Sequence, residues 1–344
     1  MRPRSVLFFA IAVTMLMLAQ GATAHVPVGG EPGNSLDTAL EIENPLKSWV
    51  MYHELHEAGE AHYYTFDMES GARLRLILNL PAELQASDFR PILALIGPGI
   101  TNSTPAPDYL EIPTGSGYVI YDNHTLHQEY EGFTPSAFFE VLDIDTTIPE
   151  TGTYYLAIYD STEAERYALA MGFQEEFTFD EWVLVALNVI TIHLWEGQNI
   201  LAILFPWLIT LLLGVILYSR RSEEFGIEND ALTWTGIIAG LLILGSGPAL
   251  LFQTVWALLQ VPANAQVIIT LLFALFSILI GIAALRSLKI GWKNDINNIL
   301  KIALLSGLAV FAWAGILIGP TLLLLVSVGG FLTRDKKLGQ VQTS

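Results

Sequence analysis

Residues 200–221, ILAILFPWLITLLLGVILYSRR, decide the broad architecture of this 344-residue chain. Residues 200–218 of this stretch carry no charged side chain, and the stretch ends in Arg220-Arg221. An uncharged apolar run of about 20 residues is long enough for a helix to cross the hydrocarbon core of a bilayer. Since 52% of the chain is hydrophobic and its mean hydropathy is +0.48, the sequence indicates a membrane protein with a sizeable polar part.

Three more apolar runs follow, at about 231–260, 265–285 and 302–332. The first of these contains Gly245-Ser246-Gly247-Pro248, which we expect to interrupt its helix. The last would be roughly 46 Å long as one helix, well beyond a core of ~30 Å. If it is divided at Gly319-Pro320, the chain has five spans, and if it is left whole the chain has four.

The positions of the basic residues favour five spans. Basic clusters follow the first span at Arg220-Arg221 and the third span at Arg286, Lys289 and Lys293. Five spans place Arg334, Lys336 and Lys337 on that same side, which the positive-inside rule assigns to the cytoplasm. We therefore expect a multi-pass protein of the cell membrane with a cytoplasmic C-terminus.

The acidic residues are concentrated in one part of the chain. Residues 25–198 hold five basic and 28 acidic side chains, a formal charge of −23, together with all seven histidines. Such a surface repels nucleic acid and anionic lipid, which excludes both as partners. The absence of cysteine excludes thiolate metal sites and thiol nucleophiles, and it suits a prokaryotic surface protein.

Residues 1–24 have the pattern of a secretory signal peptide. Arg2 and Arg4 precede an apolar stretch, and Ala22-Thr23-Ala24 is a small-residue cleavage site. The alternative is an uncleaved anchor helix. Cleavage after Ala24 would make His25 the mature N-terminus.

Residues 30–175 have strand patterning. In RLRLIL, residues 73–78, Leu74, Leu76 and Leu78 alternate with side chains for the opposite face, as in a half-buried strand. Several such runs separated by glycine turns predict an all-β sandwich outside the cytoplasm. The predicted strands are 49–52, 63–67, 74–80, 92–96, 118–121, 138–142, 154–159 and 167–172, and 99–117 is a predicted surface loop.

Two of these segments carry a resemblance to a known family. They are EAHYYTFD at 60–67, followed by Ser70-Gly71 and a strand, and TGTYYLAI at 151–158, followed by the last strand. This part of the chain, roughly 110 residues, resembles the bacterial pre-peptidase C-terminal domains. The resemblance implies a jelly-roll-like, non-catalytic module, although a membrane domain is not the usual context of that family.

Thr178 and Glu181 form a capping box that predicts the start of a helix. The apolar run 182–195 is short for a span, so we expect this helix to lie on the outer membrane surface. The alternative is a buried helix of the sandwich. The predicted segments are therefore a signal peptide (1–24), an extracytoplasmic β-sandwich (25–177), an interfacial helix and linker (178–198), a transmembrane helical domain (199–333) and a cytoplasmic tail (334–344).

The sequence contains no motif that indicates an enzyme, because phosphate loops, zincin motifs and nucleophile elbows are all absent. We therefore expect a non-enzymatic binding or scaffolding module with an extracytoplasmic ligand or protein partner. A transporter, or an accessory subunit of one, is an alternative because Gly-Pro occurs in the middle of two apolar runs.

A second alternative is copper binding through the mature N-terminus. The α-amine and the imidazole of His25 can chelate one copper ion, and nitrogen ligands suit copper. This resembles the N-terminal histidine sites of periplasmic copper proteins and of the soluble domain of particulate methane monooxygenase. The candidate co-ligands are His53, His56, His124 and His127.

Overall fold

The computed structural model describes residues 26–102 and 104–342, with side chains as far as residue 334. The predicted signal peptide (1–24) and His25 lie outside the described residues. Within the described part, eleven strands precede seven α-helices, so a sheet-rich half is followed by a helical half.

The elements have the following bounds. The strands are β1 (Val26–Pro27), β2 (Leu40–Glu41), β3 (Trp49–Glu54), β4 (Ala61–Met68), β5 (Arg73–Pro81), β6 (Ile92–Gly97), β7 (Gly117–Tyr121), β8 (His127–Glu131), β9 (Ser136–Thr147), β10 (Gly152–Tyr159) and β11 (Arg166–Met171). The helices are α1 (Phe179–Trp195), α2 (Ile200–Arg220), α3 (Ser222–Phe225), α4 (Ala231–Leu258), α5 (Val267–Ser287), α6 (Ile296–Phe311) and α7 (Ile318–Gln342).

The strands form two mixed sheets that share one core. The six-stranded sheet has the order β1-β3-β11-β5-β9-β8, and the five-stranded sheet has the order β2-β4-β10-β6-β7. The β1–β3 and β2–β4 pairs are parallel, and the other pairs are antiparallel. Leu76 of the six-stranded sheet and Leu95 and Leu156 of the five-stranded sheet belong to the same buried cluster. The predicted β domain of two layers is therefore present.

β5 shows how the alternation in the sequence sets the layers. Leu74, Leu76 and Leu78 are fully buried, at 0% exposure, whereas Arg73 on the other side forms an ion pair of 2.7 Å with Asp145 of β9. One face of the sheet therefore belongs to the core and the other does not. β8 is a strand that its sequence, HQEYE, does not predict.

α1 begins at the predicted capping box, in which Thr178 and Glu181 bond each other's backbone N–H groups. The helix lies over the outer face of the six-stranded sheet. The Trp195 indole N–H donates a hydrogen bond of 3.1 Å to the carbonyl of Tyr167, and its ring lies 5.0 Å from that of Tyr52. α1 therefore covers a sheet face that would otherwise be open.

Three of the helices, α2, α4 and α5, are long and apolar enough to cross a membrane. Two shorter apolar helices follow, α6 and the segment Ile318–Arg334 of α7. These helices indicate a membrane protein, as the composition predicts. The expected interruption of the second apolar run is wrong, because α4 continues through Pro248. Tight packing against α5 holds it there: a Cβ added at Gly281 would lie 2.6 Å from the backbone nitrogen of Leu244.

The last apolar run is divided, but not at Gly319-Pro320. The break between α6 and α7 covers residues 312–317, and Pro320 lies in the first turn of α7, where a missing N–H group has no cost. Three of the residues in the break that are not glycine have a positive φ: Trp313 (51°), Ile316 (53°) and Leu317 (59°). The predicted position of the break is therefore wrong by a few residues, although the predicted division is present.

α6 and α7 form an antiparallel pair. The Ser306 hydroxyl of α6 donates a hydrogen bond to the carbonyl of Pro320 near the start of α7, at 2.7 Å. Further along α7, the Ser327 hydroxyl donates to the carbonyl of Ile299, at 3.0 Å. The end of α7 therefore returns to the side of the bundle on which α6 begins.

The β domain is joined to the helical half by polar contacts. The Tyr130 hydroxyl lies 2.8 Å from Thr270 Oγ1 of α5, and the Asn264 side-chain amide donates to the carbonyl of Tyr130 at 2.8 Å. The backbone N–H of Gly132 donates to Gln266 Oε1 at 3.0 Å. The connection between α4 and α5 therefore lies against the end of β8.

Candidate functional site

A cavity of about 590 Å³, which we call the outer cavity, lies between the six-stranded sheet and α1. Its floor is the outer face of the sheet. Ala168 and Ala170 of β11 line its centre, with Tyr52 of β3 on one side and Ile77 of β5 on the other. The small side chains of β11 leave the space that a larger residue would fill. A volume of this size is typical of sites for small organic ligands.

The wall opposite the sheet is one face of α1. Its side chains in the cavity recur at helical spacing, because residues three and four positions apart share a face. They are Trp182, Val185, Asn188, Ile192 and Trp195. Gln266 and Trp313 of the helical half complete the lining, so both halves of the chain contribute to the outer cavity.

The outer cavity is acidic as well as aromatic. Four carboxylates line it: Glu129, Glu131, Glu140 and Glu175. Among its described lining residues none is Lys, Arg or His. His127 lies outside this lining, with its Nε2 atom 3.4 Å from the carboxylate of Glu129, so the charged side chains of the lining itself are all acidic.

Burial raises the pKa of three of these carboxylates, Glu131, Glu140 and Glu175. Burial raises the pKa of Glu131, although the carboxylate accepts hydrogen bonds from the backbone N–H groups of Phe133 and Thr134, at 2.8 and 2.7 Å. Burial also raises the pKa of Glu140, and repulsion from Asp143 adds to the effect, whereas attraction to His127 and Arg75 opposes it. Burial raises a carboxyl pKa because the ionised form is poorly solvated, and a bound cation would stabilise that ionised form.

Asn79 provides a further polar group at the cavity floor. It lies directly across from Glu140 in the β5–β9 ladder. Its Oδ1 atom is buried and has no hydrogen-bond partner among the described residues. Since a buried acceptor without a partner costs about 1–3 kcal/mol, a ligand with an N–H donor would satisfy it.

The four candidate copper co-ligands lie at different places in the β domain. Val26 pairs with Trp49, and His53 lies four residues further along β3, a distance of roughly 13 Å. His127 begins β8, at the opposite edge of the sheet from β1, and His124 is bonded to the carbonyl of Pro91 at 3.0 Å. His56 follows β3 and is exposed. No group of three His, Asp or Glu in the described part of the chain could hold a metal ion.

The structure places His53 beside a different histidine, His62, which is not among the predicted copper ligands. Their ring centroids are 6.4 Å apart. His62 Nδ1 lies 2.8 Å from the Tyr167 hydroxyl, which lies 2.7 Å from the hydroxyl of Tyr64. The side chain of His53 is 3% exposed, and neither of its ring nitrogens has a hydrogen-bond partner among the described residues.

Both histidines are held in the neutral form. Burial lowers the pKa of His53 to about 4, and attraction to Glu31, whose carboxylate lies 3.4 Å away, opposes the effect only in part. Burial also lowers the pKa of His62. This cluster is therefore part of the interior of the β domain.

The fold and the outer cavity define the broad class of protein: a membrane-associated chain whose β domain carries a ligand-sized acidic cavity. No family model matches the sequence, and no curated protein matches it significantly. The resemblance to the pre-peptidase C-terminal domains therefore rests on the strand pattern alone, and the function has to be argued from the site.

Proposed function

We propose that the protein is a non-enzymatic binding module, anchored in the cell membrane, whose β domain binds an organic cation in the outer cavity. The observation that carries the proposal is a cavity of about 590 Å³ whose lining holds four carboxylates and no described basic side chain. Trp182, Trp195 and Phe138 are in the same lining. Aromatic faces attract cations, most strongly where water is excluded.

The preferred cation has N–H groups and an apolar body. An ammonium group can donate hydrogen bonds to Glu140 and to the unpartnered Oδ1 of Asn79, which face each other across two strands. The alanines of β11 and the aromatic side chains of the lining can contact the apolar body of the cation. A primary alkylammonium ion combines these properties.

For the membrane domain we propose five spans with the β domain outside the cytoplasm. The antiparallel pairing of α6 and α7 supports this number, since it returns the chain to the side on which α6 begins. α6 and the apolar part of α7 are short, so the bilayer would have to be thinner around them. The contact between the α4–α5 connection and β8 puts that connection on the side of the β domain.

Calorimetry on the full-length protein in nanodiscs tests the proposed ligand. We expect butylammonium to bind saturably and 1-butanol, which has the same chain without the charge, not to bind. Glu140→Gln should weaken butylammonium binding about tenfold, since an ion pair of about 1.4 kcal/mol would be lost. Glu57→Gln, which changes an exposed carboxylate outside the cavity, is the matched control and should have no effect.

Two outcomes would contradict the proposal. One is equal affinity for butylammonium and 1-butanol, which would show that charge is not recognised. The other is equal binding by the Glu140→Gln and Glu57→Gln proteins, which would place the cation elsewhere. Ala168→Leu adds a further check, because it reduces the volume of the cavity without changing its charge.

A further inference from the structure

A second, smaller cavity lies next to the outer cavity, within the helical half. This inner cavity has a volume of about 60 Å³. Ala186 and Ile190 of α1, Ile203 of α2 and Ala249 of α4 are among its lining residues, so it lies where these three helices meet. Its position places it on the side of the bundle that faces the β domain.

Two aromatic side chains line both cavities. Phe133 follows β8, and Trp313 lies in the break between α6 and α7. Their ring centroids are 6.3 Å apart in an edge-to-face arrangement. The two cavities are therefore neighbours that share Phe133 and Trp313 in their walls.

The inner cavity suits an apolar occupant. The polar side chains that line it are already hydrogen-bonded. His193 Nδ1 lies 2.7 Å from Glu196, and Gln253 exchanges two hydrogen bonds of 2.9 Å with Gln198. Ser246 accepts from the indole N–H of Trp207 at 3.1 Å. The remaining lining is aliphatic or aromatic, so a hydrocarbon chain would leave no polar group without a partner.

The backbone of the wall has an unusual conformation. Trp313, Ile316 and Leu317 have positive φ values, which side chains of their size rarely adopt, and such conformations are found at sites that move or bind. Within the break, the N–H of Gly315 donates to Ser246 Oγ of α4 at 2.7 Å, and the N–H groups of Trp313 and Ala314 donate to carbonyls of α6. A rotation of the Trp313 side chain, which would break the hydrogen bond of 2.9 Å from its indole N–H to the carbonyl of Trp182, would open the wall between the two cavities.

We infer that the ligand is an amphiphile: its ammonium group binds in the outer cavity, and its alkyl chain passes between Phe133 and Trp313 into the inner cavity. This inference rests on the proposed function and names its substrate class more closely. It specifies a single-chain alkylammonium amphiphile rather than a small, fully polar cation. The chain enters the space between α1, α2 and α4, next to the bilayer.

Alkylammonium ions of increasing length, titrated into the full-length protein in phosphatidylcholine nanodiscs, test the inference. Empty nanodiscs are titrated in parallel to subtract partitioning into lipid. For the chain lengths that reach the inner cavity, affinity should rise about fourfold per added methylene, which corresponds to about 0.8 kcal/mol. Affinity should then level off when the cavity is full.

Ala249→Leu and Ala186→Leu fill the inner cavity from α4 and from α1. In each variant, affinity should no longer increase with chain length, whereas butylammonium should bind as it does to the parent protein. Unchanged binding of butylammonium also shows that the variant is folded. Ala283→Leu, on α5 and lining neither cavity, is the matched control and should keep the rise.

The possible failures are distinguishable. The inferred amphiphile is ruled out, and the proposed function stands, if butylammonium binds but affinity does not depend on chain length. The same holds if both filled variants keep the increase in affinity with chain length that the parent protein shows. If butylammonium does not bind to the parent protein, the proposed function and this inference fail together.

Discussion

The indole N–H of Trp313 donates a hydrogen bond of 2.9 Å to the backbone carbonyl of Trp182, and the two rings lie 4.6 Å apart. Trp182 belongs to the helix that covers the β domain, whereas Trp313 belongs to the break between the last two apolar helices. The ring of Trp313 also stacks on Phe273 of α5, at 5.5 Å. One side chain therefore links the β domain, the break and the bundle.

Trp313→Phe should weaken this link while keeping an aromatic ring at the position. The variant loses the N–H donor and leaves the carbonyl of Trp182 without its partner, which should lower the free energy of unfolding by about 1–3 kcal/mol. Thermal unfolding in nanodiscs measures the loss. Trp292→Phe is the matched control, since it also removes an indole hydrogen bond, to Thr233 at 3.0 Å.

The two tryptophan variants should differ in their effect on the cavities. Trp292 lines neither cavity, so Trp292→Phe should leave alkylammonium binding unchanged. Trp313→Phe should alter the affinity for long-chain alkylammonium ions. Identical binding by both variants would show that Trp313 is structural only.

Two glycines of the bundle should respond oppositely to the same substitution. A Cβ at Gly281 of α5 would lie 2.6 Å from the backbone nitrogen of Leu244, whereas a Cβ at Gly307 of α6 would meet no atom within 4 Å. Gly281→Ala should therefore force α4 and α5 apart and lower the melting temperature. Gly307→Ala should be neutral or stabilising by up to about 1 kcal/mol, because alanine favours helix. A similar fall in both variants would contradict the close packing of α4 on α5.

The local pattern of the sequence predicts most of the elements but not the site. Leu74, Leu76 and Leu78 are buried because alternation is a property of neighbouring residues, and the helix start at Thr178 is equally local. β8 escaped prediction because Glu129 and Glu131, which line the outer cavity, give it a polar sequence.

The outer cavity itself could not be predicted, since its residues are far apart in the sequence. Asn79 and Glu140 meet only through the β5–β9 pairing, and Trp182 meets them only because α1 folds back over the sheet. The position of the break was missed for a similar reason. Gly319-Pro320 is the local signal, but the break lies before it in the sequence, where the N–H of Gly315 donates to Ser246 of α4.

Reporter fusions test the proposed arrangement of the spans. A reporter that is active only in the cytoplasm should work when it is fused after Arg221, after Lys293 or at Ser344. It should fail at Asn264, which lies against Tyr130 of the β domain. Failure at Ser344 alone would select four spans, and activity at Asn264 would reverse the orientation.

Acid should destabilise the β domain through His53. Its pKa is about 4 in the folded protein, below the value of about 6.5 expected when the chain is unfolded. Above pH 6.5 both states hold the neutral ring and His53 has no effect. As the pH falls from about 6.5 to about 4, the unfolded chain takes up a proton that the folded protein does not, so the free energy of unfolding falls.

The full effect of His53 is about 3 kcal/mol, reached near pH 4. His53→Phe keeps an aromatic ring at this buried position, and it removes the titrating group together with its pairing to Glu31, whose carboxylate lies 3.4 Å away. Between pH 6.5 and 4, its free energy of unfolding should therefore fall by about 3 kcal/mol less than that of the parent protein. His56→Gln, at an exposed position, is the control and should follow the parent curve. Parallel curves for the parent and His53→Phe would mean that His53 is protonated as readily in the folded protein as in the unfolded chain, and that its burial between Tyr64 and Tyr167 does not exclude the charge.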